Sequence, residues 1–334
     1  MAATAGEAAG TTDGARARAR LTSPYAAFAD PVRSVPMRGI ELIGVPSAAG
    51  THGPGQEDAP AWLRDAGLLT GLAARGVAVR DHGDLPRVPF RPDPDHPRQQ
   101  NLGLVTEVAR NLAGRVAELC GGGPGAGVPL ILGGDCTITL GVLAGFLERH
   151  PEAGLMYFDG DIDVSTPETT TSGILDTMGL AHMLGSGAPE LARIGPRYPL
   201  MPGERIVAFG YDFAEAPEPA RAWLTGQKVT QYPATGMDDP PARAAEAMSA
   251  LAGRSRPVLV HFDVDVINST EFPLADFPHF NQGLSYPDAL ACLRVFGRHE
   301  AFGGLVITEV NPHRDPDGRL TARLAADVAE ILGR

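Results

Sequence analysis

From about residue 37 to the C-terminus, short apolar runs rich in β-branched residues alternate with longer segments of helical spacing. The runs are GIELIGV, VAVRD, VPLILGG, GLMYFDGD, RIVAFGYD, KVTQY, PVLVHFDVD and GGLVITEV. Most are apolar throughout, without strict alternation, as expected for strands covered on both faces of a parallel sheet. Between them, segments such as Glu57 to Arg75, Asn101 to Cys120 and Pro240 to Leu251 carry the spacing of helices. Repetition of strand then helix predicts an α/β fold: a three-layer αβα domain with a doubly wound, mostly parallel eight-stranded sheet. No internal repeat or interdomain linker interrupts it, so residues 37–334 are expected to form one domain. Residues 1–36, rich in Ala, Gly and Thr with the run ARARAR, have no hydrophobic period and read as a flexible N-terminal arm.

In doubly wound sheets ligands bind beyond the carboxyl ends of the strands. Polar residues that directly follow an apolar run are therefore the candidates for chemistry. They are GGDCT after VPLIL, DGDID after LMYF, DVD after VLVHF, Gly210-Tyr211-Asp212 after IVAF, and Glu309 after LVIT. Asp159, Asp161 and Asp163 occupy alternating positions, which would put their side chains on one side if the strand stays extended. Asp263 and Asp265 repeat that spacing at the end of another run. Carboxylates gathered at one sheet edge repel and raise one another's pKa unless a cation or proton lies between them. One such Asp is ordinarily a turn former or helix cap. Two clusters placed alike by topology are what a hard divalent ion of the Mg/Mn type requires.

Composition narrows the function classes. The apolar share of 43% and charged share of 20% are those of a globular chain. A net charge of −12, from 40 acidic and 28 basic side chains, disfavours nucleic acids and anionic membranes as partners. There is no signal-peptide core and no apolar run of about 20 residues, so a cytoplasmic protein is expected. Cys120, Cys136 and Cys292 are too scattered for a disulfide framework. Cys120 and Cys292 fall in apolar helical stretches and read as small buried hydrophobes.

From GIELIGVPSAAGTHGPG near residue 39 to TEVNP near residue 308, the chain resembles the arginase/agmatinase/formiminoglutamase (ureohydrolase) family. The family's GGDH motif is similar to Gly133-Gly134-Asp135-Cys136, its DAHxD motif to Asp159-Gly160-Asp161-Ile162-Asp163, and its SxDxD motif to His261-Phe262-Asp263-Val264-Asp265. The glutamate of its EVNP segment falls on Glu309. The resemblance implies an arginase-like fold, a homo-oligomer (trimer or hexamer), and hydrolysis of a small cationic guanidino substrate by water activated between Mn²⁺ ions. One ion would take Cys136, Asp159, Asp163 and Asp263; the other would take Asp159, Asp161, Asp263 and Asp265. Asp161, Asp176 and Glu309 would be catalytic, and Thr171, Ser172, Asp212 and Glu309 would bind substrate.

The motifs also depart from the family. Cys136 and Asp161 stand where histidines bind metal, so no imidazole remains among the inferred ligands. Five aspartates against two divalent ions leave an excess of one negative charge, or two if the thiol ionises. In a partly buried site a proton, a cationic substrate or loss of one ion would relieve it. Carboxylates favour Mn, whereas a thiolate suits Zn or Fe. Cys136 reads as a ligand or as a neutral spacer. In the segment similar to the family's SGNxH loop, Ile174 replaces an Asn that helps hold an amino-acid carboxylate, and Asp176 replaces the histidine that shuttles protons. Other histidines within reach of strand-end loops are His52, His182, His261, His279 and His313, each with a structural role as its default. The reading is a metal-dependent hydrolase of a C–N bond in a guanidino compound that releases urea or a substituted urea, hydroxyarginine being one candidate. The alternatives are a non-catalytic family member that binds a ligand or partner, and an amide or formimino hydrolase on the same scaffold.

Overall fold

The computed structural model describes residues 39–122, 127–214, 216, 218–276 and 283–333. The expected N-terminal arm and His279 lie outside the described residues. All eight expected strands form: β1 (Ile40–Gly44), β2 (Val79–Asp84), β3 (Val128–Leu132), β4 (Gly154–Phe158), β5 (Ile206–Phe209), β6 (Thr230–Tyr232), β7 (Val258–Asp263) and β8 (Phe302–Thr308). They pair in the order β2-β1-β3-β8-β7-β4-β5-β6. Every pairing is parallel, so the sheet is wholly and not only mostly parallel.

Side chains alternate across this sheet into two separate cores. Leu130, Phe158, Val260, Phe262 and Ile307 pack with the helices Leu68–Ala73, Pro240–Ala252, Tyr286–Arg298 and Arg319–Leu332. Ile131, Leu155, Tyr157, Leu259 and Val306 face the helices Leu102–Leu119 and Ile138–Arg149. That is the three-layer arrangement the alternating runs imply. The central strands β3, β4 and β7 are buried almost throughout, which explains their continuous apolar sequence. Continuous burial was also expected at the edges, but β2 and β6 are half-buried or exposed. Among the described residues each has one neighbouring strand, and β2 accordingly tolerates the polar run VRDHGD.

Two local expectations change. The segment Glu57 to Arg75 is two helices, Ala59–Asp65 and Leu68–Ala73, broken at Gly67, whose φ of 92° is outside the helical region. Cys292 is buried as expected, but Cys120 ends its helix half-buried.

Candidate metal centre

The carboxyl ends of β3, β8, β7 and β4 adjoin one another in the sheet, and the candidate residues follow those ends directly. Asp159 leaves β4 with its N–H donated to the Phe209 carbonyl at 3.1 Å, and there the ladder stops. The Gly160 N–H turns to Asp265 Oδ1 at 2.9 Å, and the Asp161 N–H turns back to Asp159 Oδ1 at 2.7 Å. Asp163 then takes a left-handed φ of 42°. The expected extended DGDID strand is therefore a folded turn, because side-chain acceptors capture the amides that a ladder would have used. Asp265 likewise lies in a 3₁₀ turn, its N–H donated to Asp263 Oδ1 at 2.8 Å.

These bonds leave Oδ2 of Asp159 and of Asp263 facing inward. Cys136 Sγ, on the turn after β3, makes a very close contact with Asp263 Oδ2 and lies 3.2 Å from Thr308 Oγ1. His261 sits two residues before Asp263, on the same face of β7, and pairs in register with Tyr157. Its Nε2 is 3.0 Å from Asp159 Oδ2 and 3.7 Å from Cys136 Sγ. Cys136, Asp159, His261 and Asp263 are all buried, and each offers a ligand atom within 4.8 Å of the others. Cys136, Asp176 and Glu309 form an adjoining set by the same measure. Asp163 accepts a hydrogen bond from Tyr157 Oη, Asp161 is half-buried, and Asp265 is buried in the turn beside them.

Further residues hold this arrangement. Asp135 is fully buried and accepts from Gly50 N–H at 3.0 Å, Thr137 N–H at 3.1 Å and Ser47 Oγ at 3.2 Å, tying the turn before Cys136 to the loop after β1. Glu309 has a left-handed φ of 63°, donates its N–H to the Gly134 carbonyl at 3.0 Å and accepts at Oε2 from Gln56. Asp176 opens a 3₁₀ turn anchored by its N–H to the Gly50 carbonyl at 3.1 Å. Sequence reasoning missed Gln56, Thr139, Tyr157 and Thr308. None follows a strand end with a charge, so only their spatial neighbours single them out.

The remaining predicted residues are placed less centrally. Asp212 is buried, with its N–H on the Gly160 carbonyl at 2.7 Å and its Oδ1 accepting from Ala214 N–H at 2.8 Å. Thr171 and Ser172 are exposed on the loop before Asp176, and Ile174 is buried behind them. His182 is buried between the Met178 carbonyl and Ala188 N–H, a structural role. His52 and His313 are exposed.

The electrostatics fit a cation. Burial, then the charges of Asp265 and neighbouring carboxylates, push Asp159 and Asp263 far above the usual carboxylate range. Burial and then Asp176 do the same to Glu309, and burial raises Asp176 to about 7. Burial and the same acidic neighbours push the Cys136 thiol up, whereas burial lowers His261 to about 3, leaving its imidazole neutral. Asp176 Oδ1 and Glu309 Oε1 are buried with no partner at hydrogen-bond geometry, while the two carboxyls lie close enough to each other to share a proton when one is protonated. A cation or a shared proton would relieve these groups, and their mixture of oxygen, nitrogen and sulfur donors is a set that suits a divalent ion.

The pH dependence of stability follows. Carboxyls with raised folded pKa stabilise the cation-free protein at low pH and lose that contribution as pH rises through their folded values. His261, lowered to about 3, stabilises fully above its unfolded value of 6.5 and contributes no further slope there. Above pH 6.5 the cation-free melting temperature should therefore fall with rising pH. The shift produced by added Mn²⁺ or Zn²⁺ should grow, because ligands bind ions deprotonated. Thermal melts with and without chelator check this; a cation-free melting point that rises above pH 6.5 would show that the cluster is not strained by its charges.

A family model described as "Arginase family" matches residues 38–332. The chain belongs to the arginase family. Among its relatives, human Arginase-1 is 31% identical over 286 residues, 84% of this chain and 87% of that one. The arginase of Bacillus caldovelox is 27% identical over 299 residues, 89% and 99% of the two chains. The crystal structure of arginase from Bacillus cereus superposes with a TM-score of 0.79 at 25% identity, covering 89% of this chain and 99% of that one. This arginase-family hydrolase thus shares its fold with these relatives, and the family resemblance extends over nearly the whole described chain. No helix among the described residues is long and apolar enough to cross a membrane.

Proposed function

We propose that this protein is a metal-dependent amidinohydrolase that cleaves a C–N bond of a small cationic guanidino compound, releasing urea or a substituted urea. One observation carries the reading: Asp176 and Glu309, 5% and 2% exposed, each keep a buried oxygen without a donor beside the ligand cluster. A guanidinium presents a planar fan of N–H donors and a positive charge, and so supplies what both oxygens lack. When bound, a divalent ion supplies Lewis acidity and eases the ionisation of water.

Glu309, held rigidly through its own amide and Gln56, would orient the guanidinium. Asp176, buried beside Glu309, would hand a proton to the departing amine. Asp161 would act beside them at the mouth of the cluster. Thr171, Ser172 and Asp212 would meet the rest of the substrate. The buried Ile174 side chain offers a carboxylate no hydrogen bond, so a carboxylate tail would have to be held by other groups; hydroxyarginine is one compound to include in the screen. The expected setting is a cytoplasmic homo-oligomer, a trimer or hexamer.

The test is a screen of guanidines and hydroxyguanidines for urea or substituted urea release, with Mn, Zn, Fe and Ni supplied separately. Glu309→Gln should lower kcat/KM by roughly a hundredfold to a thousandfold, the scale of losing one preorganised charge partner, with metal content unchanged. Full activity in that variant, or no turnover of any guanidine by metal-loaded protein, would overturn the reading.

A further inference from the structure

The motifs leave the centre without an imidazole, because Cys136 and Asp161 occupy the histidine positions. The fold supplies one from elsewhere. His261 stands on β7 where the SxDxD motif has serine, and it is completely buried among the donors. Its ring stacks on Tyr157 with centroids 4.3 Å apart and planes 12° from parallel. Its Nδ1 is 2.9 Å from the hydroxyl of Thr139, in the first turn of the helix Ile138–Arg149. Stack and hydroxyl fix the ring so that Nε2 points at Asp159 Oδ2 and Cys136 Sγ. A histidine that ligates a metal through one nitrogen is held in this way through the other.

The inward oxygens limit what that centre can be. Asp159 Oδ1 and Asp263 Oδ1 each accept a backbone N–H, so the Oδ2 atoms are the ones directed at Nε2 and Sγ. Asp163, assigned by the family motif to the same ion as Cys136, is instead bonded to the hydroxyl of Tyr157, the residue that stacks on His261.

We propose that His261 is a metal ligand of this protein, so that Cys136 Sγ, His261 Nε2, Asp159 Oδ2 and Asp263 Oδ2 hold one divalent ion, with Asp163 drawn off onto Tyr157. One sulfur, one nitrogen and two oxygens make a borderline donor set, which suits Zn²⁺, Fe²⁺ or Co²⁺ better than Mn²⁺. The serine-to-histidine change on β7 and the histidine-to-cysteine change after β3 are thus one exchange across 3.7 Å. With a thiolate and two carboxylates the loaded set carries −3 + 2 = −1, which a cationic substrate would neutralise. The inference deepens the proposed metal dependence and rests on it, but not on the identity of the substrate.

The experiment uses Co²⁺ with the full chain. Wild type should bind one equivalent, with a thiolate-to-cobalt charge-transfer band and the intense visible absorption of a four-coordinate ion. His261→Ser and His261→Gln should each weaken Co²⁺ at least about a hundredfold in chelator competition, while Cys136→Ser should abolish the charge-transfer band. Thr139→Val, which removes only the Nδ1 partner, should weaken binding about tenfold to a hundredfold. If the His261 variants do not fold, pulsed electron paramagnetic resonance of Cu²⁺-loaded wild type should still show coupling to an imidazole nitrogen. Unchanged affinity in both variants, or no such coupling, overturns the ligand assignment and leaves metal dependence standing. Wild type that takes up none of these ions overturns both.

Discussion

Asp263→Ala should strip the protein of its divalent ion and of activity while leaving the cation-free protein at least as stable as wild type. Asp263 is 1% exposed, and its Oδ2 faces both Cys136 Sγ and Thr308 Oγ1. Like Asp159, it belongs to both ion sites implied by the family motifs and to the compact ligand set. Four-ligand sites bind with about 10–16 kcal/mol in total, so one ligand is worth roughly 3 kcal/mol, or about a hundredfold in affinity. The effect on stability runs the other way. Burial and Asp265 hold the Asp263 carboxyl far above its usual range, so without a cation it is a source of repulsion, and its removal relieves its neighbours. Elemental analysis, chelator competition and paired thermal melts would separate these effects. An Asp263→Ala protein that retains its metal, or whose cation-free form melts well below wild type, would show that Asp263 is a packing residue.

Gly134→Ala should disrupt fold and site together. A Cβ there would lie 1.7 Å from the Ser47 carbonyl oxygen and 2.7 Å and 2.9 Å from Ser47 C and N, all backbone atoms that no rotamer change can move. The same turn carries the bonds Gly134 N–H to Val45 O at 3.1 Å, Asp135 N–H to Ser47 O at 3.0 Å and Glu309 N–H to Gly134 O at 3.0 Å. Moving it displaces Cys136 and Glu309 at once. The expected destabilisation is about 3 kcal/mol or more, at the upper end for overpacking. Gly53, with nothing within 4 Å of a Cβ, is the control, and its alanine variant should differ by less than about 0.5 kcal/mol. Equal denaturation midpoints for Gly134→Ala and wild type would show that the loop yields freely.

The sequence by itself determined the layers and the place of chemistry. Central strands such as β3, β4 and β7 are covered on both faces, so each is a continuous apolar run that stands out without any knowledge of its partners. In a wound parallel sheet the carboxyl ends of such runs come together, which is why Asp159, Asp263, Glu309 and Cys136 could be named as one group. The tertiary structure decided which atoms face one another. Whether Asp161 and Asp163 continue a strand depends on amides captured by Asp159 and by Asp265, the latter 105 residues from Gly160. His261 lies inside a buried strand, where a polar residue reads as an interruption. Its meaning comes from register with Tyr157 and from Thr139, 122 residues away, and local spacing carries no information about contacts of that range.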